Sequence, residues 1–220
     1  MKEDLPIFDE KIWNLNTKQI ELTRLARKLG QEKFSTRAAH YDRTATFPTE
    51  NYKDLFDSGL IGICIPEPSG GHGADFKTYM LTAAEIGRYC GATALTFNMH
   101  VSSCLWSGHL IDNLDIDDND RTEHNVNREV HYRRILDDGA IYAQPFSEGG
   151  SAAAGATSFQ TTALRVENGW VVNGKKIFAS LSGHANYYGT LCTEITDEEG
   201  PQDRVNTTYL AIPANSKGVS

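Results

Sequence analysis

Residues 141–182 read IYAQPFSEGGSAAAGATSFQTTALRVENGWVVNGKKIFASLS. A loop nearly free of bulk, 147–155, precedes a stretch rich in β-formers. Asn168-Gly169 and Asn173-Gly174 are turn signals, because both residue types tolerate positive φ. They bracket Trp170-Val171-Val172, with 161–166 before and 175–181 after, so the spacing predicts an antiparallel meander. Alternation along the last strand then puts Phe178 and Ser180 on one face. An aromatic in that place packs on a ring system, and a hydroxyl hydrogen-bonds a ring heteroatom. The small residues of the loop let backbone N–H groups approach a ligand. The same pattern also fits an ordinary β-sandwich edge with a glycine-rich connector.

Working back from this stretch, the pattern turns helical. Leu15, Leu22, Leu25 and Leu29 repeat near helical spacing, and Gly30 predicts the stop. A second helix is expected to end at Ser58, before Gly59. The apolar stretch 60–65 is closed by Pro66 and Pro68, and the loop 70–73 leads into a helix over 75–88. Tyr79, Met80, Ala83, Ala84 and Gly87 form its expected packing face. A third helix is expected over 92–109, carrying His100 near Asn98 and Ser102. The run 112–123 is acidic but lacks the central glycine and final glutamate spacing of an EF-hand, so it predicts a solvated loop between helices. A helix resumes over 128–137, and Gly139 opens the β region. The expected class is therefore α+β: an all-α helical domain over 1–138, then an antiparallel β-sandwich or barrel-like domain over 139–220.

Composition narrows the function. The chain has 220 residues, 40% of them hydrophobic, with a formal net charge of −8. That charge argues against general nucleic-acid binding but leaves room for a local basic pocket. No apolar run reaches membrane-spanning length, and the first ten residues lack the apolar core of a signal peptide, so no membrane role and a cytoplasmic location are expected. Cys64, Cys90, Cys104 and Cys192 are widely spaced with no CxxC pair, and read as reduced, buried thiols. His109, His124 and His131 show no metal-ligand spacing, so no metal is expected.

Several of these motifs, in this order, resemble the acyl-CoA dehydrogenase family. Ser147-Glu148-Gly149 stands where that family has Thr-Glu-Pro, followed by Gly150-Ser151, Thr161-Thr162-Ala163, Asn173-Gly174-Lys175-Lys176 and Phe178-Ala179-Ser180. Upstream, Ile65-Pro66-Glu67 with Gly70-Gly71-His72-Gly73 resembles the family's Pro-Glu…Gly-Gly-x-Gly signature. Three departures stand out: Gly149 for the proline, Ala152 for the aspartate after Gly-Ser, and a loop one residue longer, which allows a register with Tyr142 rather than Gln144 near the ring.

The resemblance implies FAD as cofactor. Phe178 would pack on the isoalloxazine with Ala179 beside it, and Ser180 would hydrogen-bond near the reactive nitrogen. Ser147 would meet the pyrimidine end, with Phe146 and Gln144 on the same strand end. Gly150 and Ser151 would meet both cofactor and acyl-CoA, and His100 would line the substrate site unless it is a structural histidine. The implied reaction is α,β-dehydrogenation of an acyl-CoA thioester, with an electron-transferring flavoprotein or another acceptor downstream and a homodimer or homotetramer as the intact form. A flavin-dependent monooxygenase or oxidase, or a non-catalytic flavin- or CoA-binding fragment, are the alternatives. Family members carry a further helical bundle that supplies the catalytic base. The chain is thus expected to be a truncated form in which the catalytic residue is unknown, Glu148 matching a structural position instead.

Overall fold

The computed structural model describes residues 9–149, 158–195 and 206–220. It divides into two compact units, 1–140 and 141–220. The first is helical. Helix α1 (Thr17–Leu29) starts on a reciprocal cap: Asn16 accepts the Gln19 N–H, and the Gln19 side chain accepts the Asn16 N–H. Arg27 and Lys28 close its last turn, where a positive charge suits the helix dipole. Gly30 does not stop the chain as its spacing predicts. A π-turn, Gly30–Phe34, carries it straight into α2 (Ser35–Thr44). The glycine is needed for proximity instead: a Cβ on Gly30 would stand 2.1 Å from Cδ2 of Tyr89.

Helix α3 (Thr49–Asp57) ends as expected before Gly59, whose φ is 76°. Helix α4 (Phe76–Gly87) is capped by Asp75, which accepts the Thr78 N–H at 2.8 Å. Tyr79 and Ala83 face inward as the pattern predicts, whereas Met80 is exposed. Helix α5 (Gly91–Leu105) runs into a π-turn over Trp106–Leu110. The helices α1, α4 and α5 pack in sequence, over a core that includes Leu22, Phe34, Leu55, Ile86, Phe97 and Ile135. Buried Glu85 sits between Arg27 at 2.9 Å and Arg88 at 3.3 Å, which makes its burial tolerable.

The acidic run corrects a second expectation. Only its first part is a connection; Asp118–Leu136 is one helix, α6. Asp117 caps it through the N–H groups of Asn119 and Asp120, and Asp118 and Asp120 lie in its first turn. Acidic residues there favour a helix start, so the charge that suggested a loop is the signal of an N-terminus.

The second unit is built on a mixed sheet. Among the described residues it has five strands: β1 (Tyr142–Ala143), β2 (Thr162–Val166), β3 (Gly169–Asn173), β4 (Tyr187–Ile195) and β5 (Thr207–Pro213). Strands β2 and β3 form the expected hairpin, with Val166 paired to Gly169. Its two-residue turn is therefore Glu167-Asn168, one position earlier than the Asn-Gly pair suggests. The second Asn-Gly makes no hairpin. Gly174 lies against Thr161, where a Cβ would come within 2.4 Å of Oγ1, so this glycine serves a close approach too. The all-antiparallel sheet expected from the sequence is corrected accordingly. Strand β4 pairs in parallel with β1 and β2 and antiparallel with β5. Parallel partners must come from distant sequence, and no local turn signal announces them.

Candidate functional site

The site residues of the second unit gather where the chain leaves β1 and where it leaves β3. Ile177 donates its N–H to the Ser147 carbonyl at 2.7 Å, forming an isolated antiparallel bridge. This contact brings Phe146 and Ser147 beside Ile177 and Phe178. Residues 175–181, expected as a strand, are otherwise not one. Phe178 takes φ 57° and Leu181 takes φ 74°, both left-handed. The Ser180 N–H returns to the Phe178 carbonyl at 3.1 Å, and Ser182 N–H to that of Ala179 at 3.0 Å. Strand alternation thus does not decide where Phe178 and Ser180 point; a tight turn anchored by buried Leu181 does.

Phe178 is 87% exposed, while Ser147, Ala179 and Ser180 are half-buried. A left-handed non-glycine residue costs about 1–3 kcal/mol, and an exposed phenyl ring forgoes its burial. Both costs fall on one residue. Gln144 is buried; its Oε1 accepts the Tyr209 hydroxyl at 3.1 Å, and its Nε2 has no hydrogen-bond partner among the described residues. Tyr142 is fully buried and stacks on Tyr187, ring centroids 4.9 Å apart. Gly150 and Ser151 lie outside the described residues.

Glu148 ties these pieces together. Its side chain is 1% exposed and accepts the Lys176 ammonium at 2.6 Å, the Gln160 N–H at 2.7 Å and the Thr161 N–H at 2.9 Å. Burial opposes its ionisation, but Lys176 and the two backbone donors outweigh burial and hold its pKa below the ordinary value. Lys176 also donates to the Leu191 carbonyl at 2.7 Å and lies over the Phe159 ring at 4.5 Å. In the sequence Lys176 stands only as the end of an Asn-Gly-Lys-Lys turn motif. Its role as the counter-ion of Glu148 spans 28 residues and leaves no periodic signal. Gly149 has φ 79°, which proline cannot adopt, so the departure from Thr-Glu-Pro accompanies a different backbone course.

In the helical unit His100 is fully buried on α5, with Nε2 at 3.0 Å from the Ile61 carbonyl oxygen. Burial lowers its pKa to about 4, so the ring is neutral at physiological pH. All four cysteines are buried free thiols, and burial raises the pKa of Cys64, Cys104 and Cys192. Among the described residues no group of histidine, cysteine and carboxylate side chains could hold a metal ion, and no helix is long and apolar enough to cross a membrane.

A helical unit followed by a mixed-sheet unit with this cluster defines the class. Residues 16–111 match the N-terminal domain of acyl-CoA dehydrogenase, and residues 145–220 match its middle domain. The chain belongs to the acyl-CoA dehydrogenase family. A probable acyl-CoA dehydrogenase of Bacillus subtilis, YngJ, is 25% identical over 209 residues, covering 93% of this chain and 50% of that protein. Butyryl-CoA dehydrogenase from Megasphaera elsdenii has the same fold, with TM-score 0.73 and 22% identity over 93% of this chain and 50% of its own. The FMN-bound TdsC from Paenibacillus sp. A11-2 shares the fold at TM-score 0.70 and 19% identity, over 90% of this chain and 45% of that one. The chain spans about half the length of the curated relatives it matches.

Proposed function

We propose that this chain is the flavin-holding part of an FAD-dependent oxidoreductase that desaturates an acyl-CoA thioester between its α and β carbons. One observation carries the reading: an exposed phenyl ring, Phe178, held in a left-handed backbone by a buried framework. Such a doubly costly residue marks a functional position, and a planar ring system is the partner that offsets its exposure. The residues present fit FAD on that ground, and the half-buried Ser147 and Ser180 supply hydroxyl-bearing residues in the two segments that the Ser147–Ile177 bridge joins. When bound, FAD accepts the β-hydrogen of the substrate as hydride.

Phe178 and Ala179 support the flavin face in this reading, and Ser180 and Ser147 bond its heteroatoms. Phe146 and Gln144 would border it; the parts expected of Gly150 and Ser151 fall on residues outside those described. His100 is read as a structural histidine, since its ring is buried and engaged with the Ile61 carbonyl. Glu148 is not the base that removes the α-proton. Its carboxylate is held ionised by Lys176 and spent on two backbone N–H groups, so its role is to fix the base of the loop. An electron-transferring flavoprotein or another acceptor would take the electrons, and further copies of the chain would complete the assembly.

A flavin-dependent monooxygenase on the same fold is the second reading, favoured by the likeness of fold to TdsC, a dibenzothiophene monooxygenase. Visible-absorbance titration with FAD and with FMN, oxidised and reduced, tests both. Phe178→Asn tolerates the left-handed backbone and removes the ring. It is expected to leave stability unchanged or raise it by about 1 kcal/mol, while weakening flavin binding about tenfold. Binding that is absent in both redox states, or indifferent to Phe178→Asn, would sink the reading. Rapid reoxidation of the reduced complex by air would favour the second over the first.

A further inference from the structure

The two Asn-Gly pairs of the second unit look alike in sequence but sit in different mechanical settings. In Asn-Gly the backbone nitrogen that follows the asparagine reaches its side chain with least hindrance, because glycine brings no Cβ to the approach. Both asparagines and both glycines are exposed, so access to water does not separate the two sites. What separates them is how far the backbone can move. At the apex of the β2–β3 hairpin, Asn168 is the second turn residue and Gly169 makes the closing pair with Val166. A Cβ on Gly169 would meet nothing within 4 Å. Among the described residues β3 pairs with β2 alone, so this end of the hairpin opens without disturbing a third strand.

Asn173-Gly174 is clamped from both sides. Asn173 pairs with Thr162 in the ladder. A Cβ on Gly174 would stand 2.6 Å from Cα of Thr161, and Thr161 is itself fixed. Its N–H goes to Glu148 at 2.9 Å, and its carbonyl accepts the Thr193 N–H at 2.8 Å. Just beyond, Lys176 is held by Glu148 and the Ile177 N–H by the Ser147 carbonyl. Turning the Gly174 nitrogen toward the Asn173 side chain would have to break this whole set.

We propose that Asn168 is a site of self-modification, at which the chain converts its own side-chain amide to an acid while Asn173 is preserved. The Gly169 backbone nitrogen attacks the Asn168 side-chain carbonyl carbon. The new C–N bond closes a succinimide ring, and the side-chain nitrogen leaves as ammonia with the proton that the backbone nitrogen gives up. Water then adds across one of the two C–N bonds of the imide. Opening on one side leaves aspartate; opening on the other leaves isoaspartate, whose main chain runs through the former side chain. Water is the one co-reactant, and nothing is oxidised or reduced. The new carboxylate adds a negative charge to a chain already at −8, beside exposed Glu167. Isoaspartate also inserts a methylene into a turn whose length sets the pairing of β2 with β3. The cross-strand pair Arg165–Trp170, with the guanidinium 5.8 Å from the ring centroid, lies next to that turn and loosens with it. None of this requires bound flavin.

The test is to incubate the 220-residue chain in neutral buffer at physiological temperature, native and in guanidinium chloride, and to follow both sites by peptide mass spectrometry. Chromatography parts the aspartate from the isoaspartate product. In the native chain Asn168 is expected to convert at least about tenfold faster than Asn173. In denaturant the two are expected to convert at similar rates, since only the shared dipeptide is left. Hydrogen exchange on the aged native chain should show the amides of β3 losing protection while those of β4 and β5 keep theirs. Asn168→Gln, whose longer side chain closes an imide far more slowly, should keep β3 protected through the same incubation. Equal rates at the two sites in the native chain overturn the proposal. An Asn168 that persists in the native chain overturns it too, whether or not it converts in denaturant, and so does a rate difference that survives unfolding unchanged. Protection of β3 that is indifferent to conversion at position 168 overturns the effect on the hairpin.

Discussion

Glu148 shows how one carboxylate can hold three pieces of chain in register. It closes on Lys176 and on the N–H groups of Gln160 and Thr161, so the end of the 147–149 stretch, the entry to β2 and the turn that carries Phe178 share one anchor. Breaking a buried pair from one side leaves an uncompensated charge, and Lys176→Met is expected to cost about 3–5 kcal/mol. The pH dependence has a definite sign. The folded pKa of Glu148 lies below its ordinary 4.5, so its contribution is complete above that value and is lost as pH falls through the folded one. Thermal unfolding of the wild type should lose stability below about pH 4.5, and Lys176→Met should flatten that loss; an equal slope in both would show that Lys176 does not hold the charge. At this scale the sequence was legible for residue types but not for partners. It named Phe178, Ser180 and Ser147 by motif, while the Lys176–Glu148 pair and the Tyr209–Gln144 bond join residues too far apart for any local pattern to connect.

Secondary structure was legible where capping and burial agree. Asp75 before α4 and Gly59 after α3 did what such residues do, and the β2–β3 hairpin formed from its alternation. It was misread where one residue type serves two purposes. Gly30 and Gly174 read as a helix stop and a turn, yet each is small because a neighbouring side chain occupies the space. The acidic run read as solvated loop, yet half of it starts α6. The lysine-rich stretch after β3 read as a strand, and the left-handed residues Phe178 and Leu181 break it. At Gly30 the consequence can be measured. A methyl group there must displace the Tyr89 ring, so Gly30→Ala is expected to destabilise the helical unit by about 1–3 kcal/mol. Gly30→Ala together with Tyr89→Ala should recover part of that loss. If helix propensity alone governed the position, Gly30→Ala would stabilise instead.

Across the whole molecule, the order of helical then β-rich segments was visible in the switch of periodicity near residue 140, and the α+β class followed from it. The pairing within the sheet was not, because the strand that organises it has partners on both sides of it in the sequence. Strand β4 binds β1, β2 and β5, and its contact with β1 joins Tyr142 to Tyr187. This has a kinetic consequence. The β2–β3 hairpin closes a short loop and can form by itself, but β1 gains its place in the sheet only after residues 187–188 arrive, which requires closing a far longer loop. Assembly of the second unit should therefore wait on β4 and proceed outward from the hairpin. In pulse-labelled hydrogen exchange during refolding, the amides of β2 and β3 should be protected before those of β1 and β5; simultaneous protection of all five strands would mean that the sheet condenses in one step.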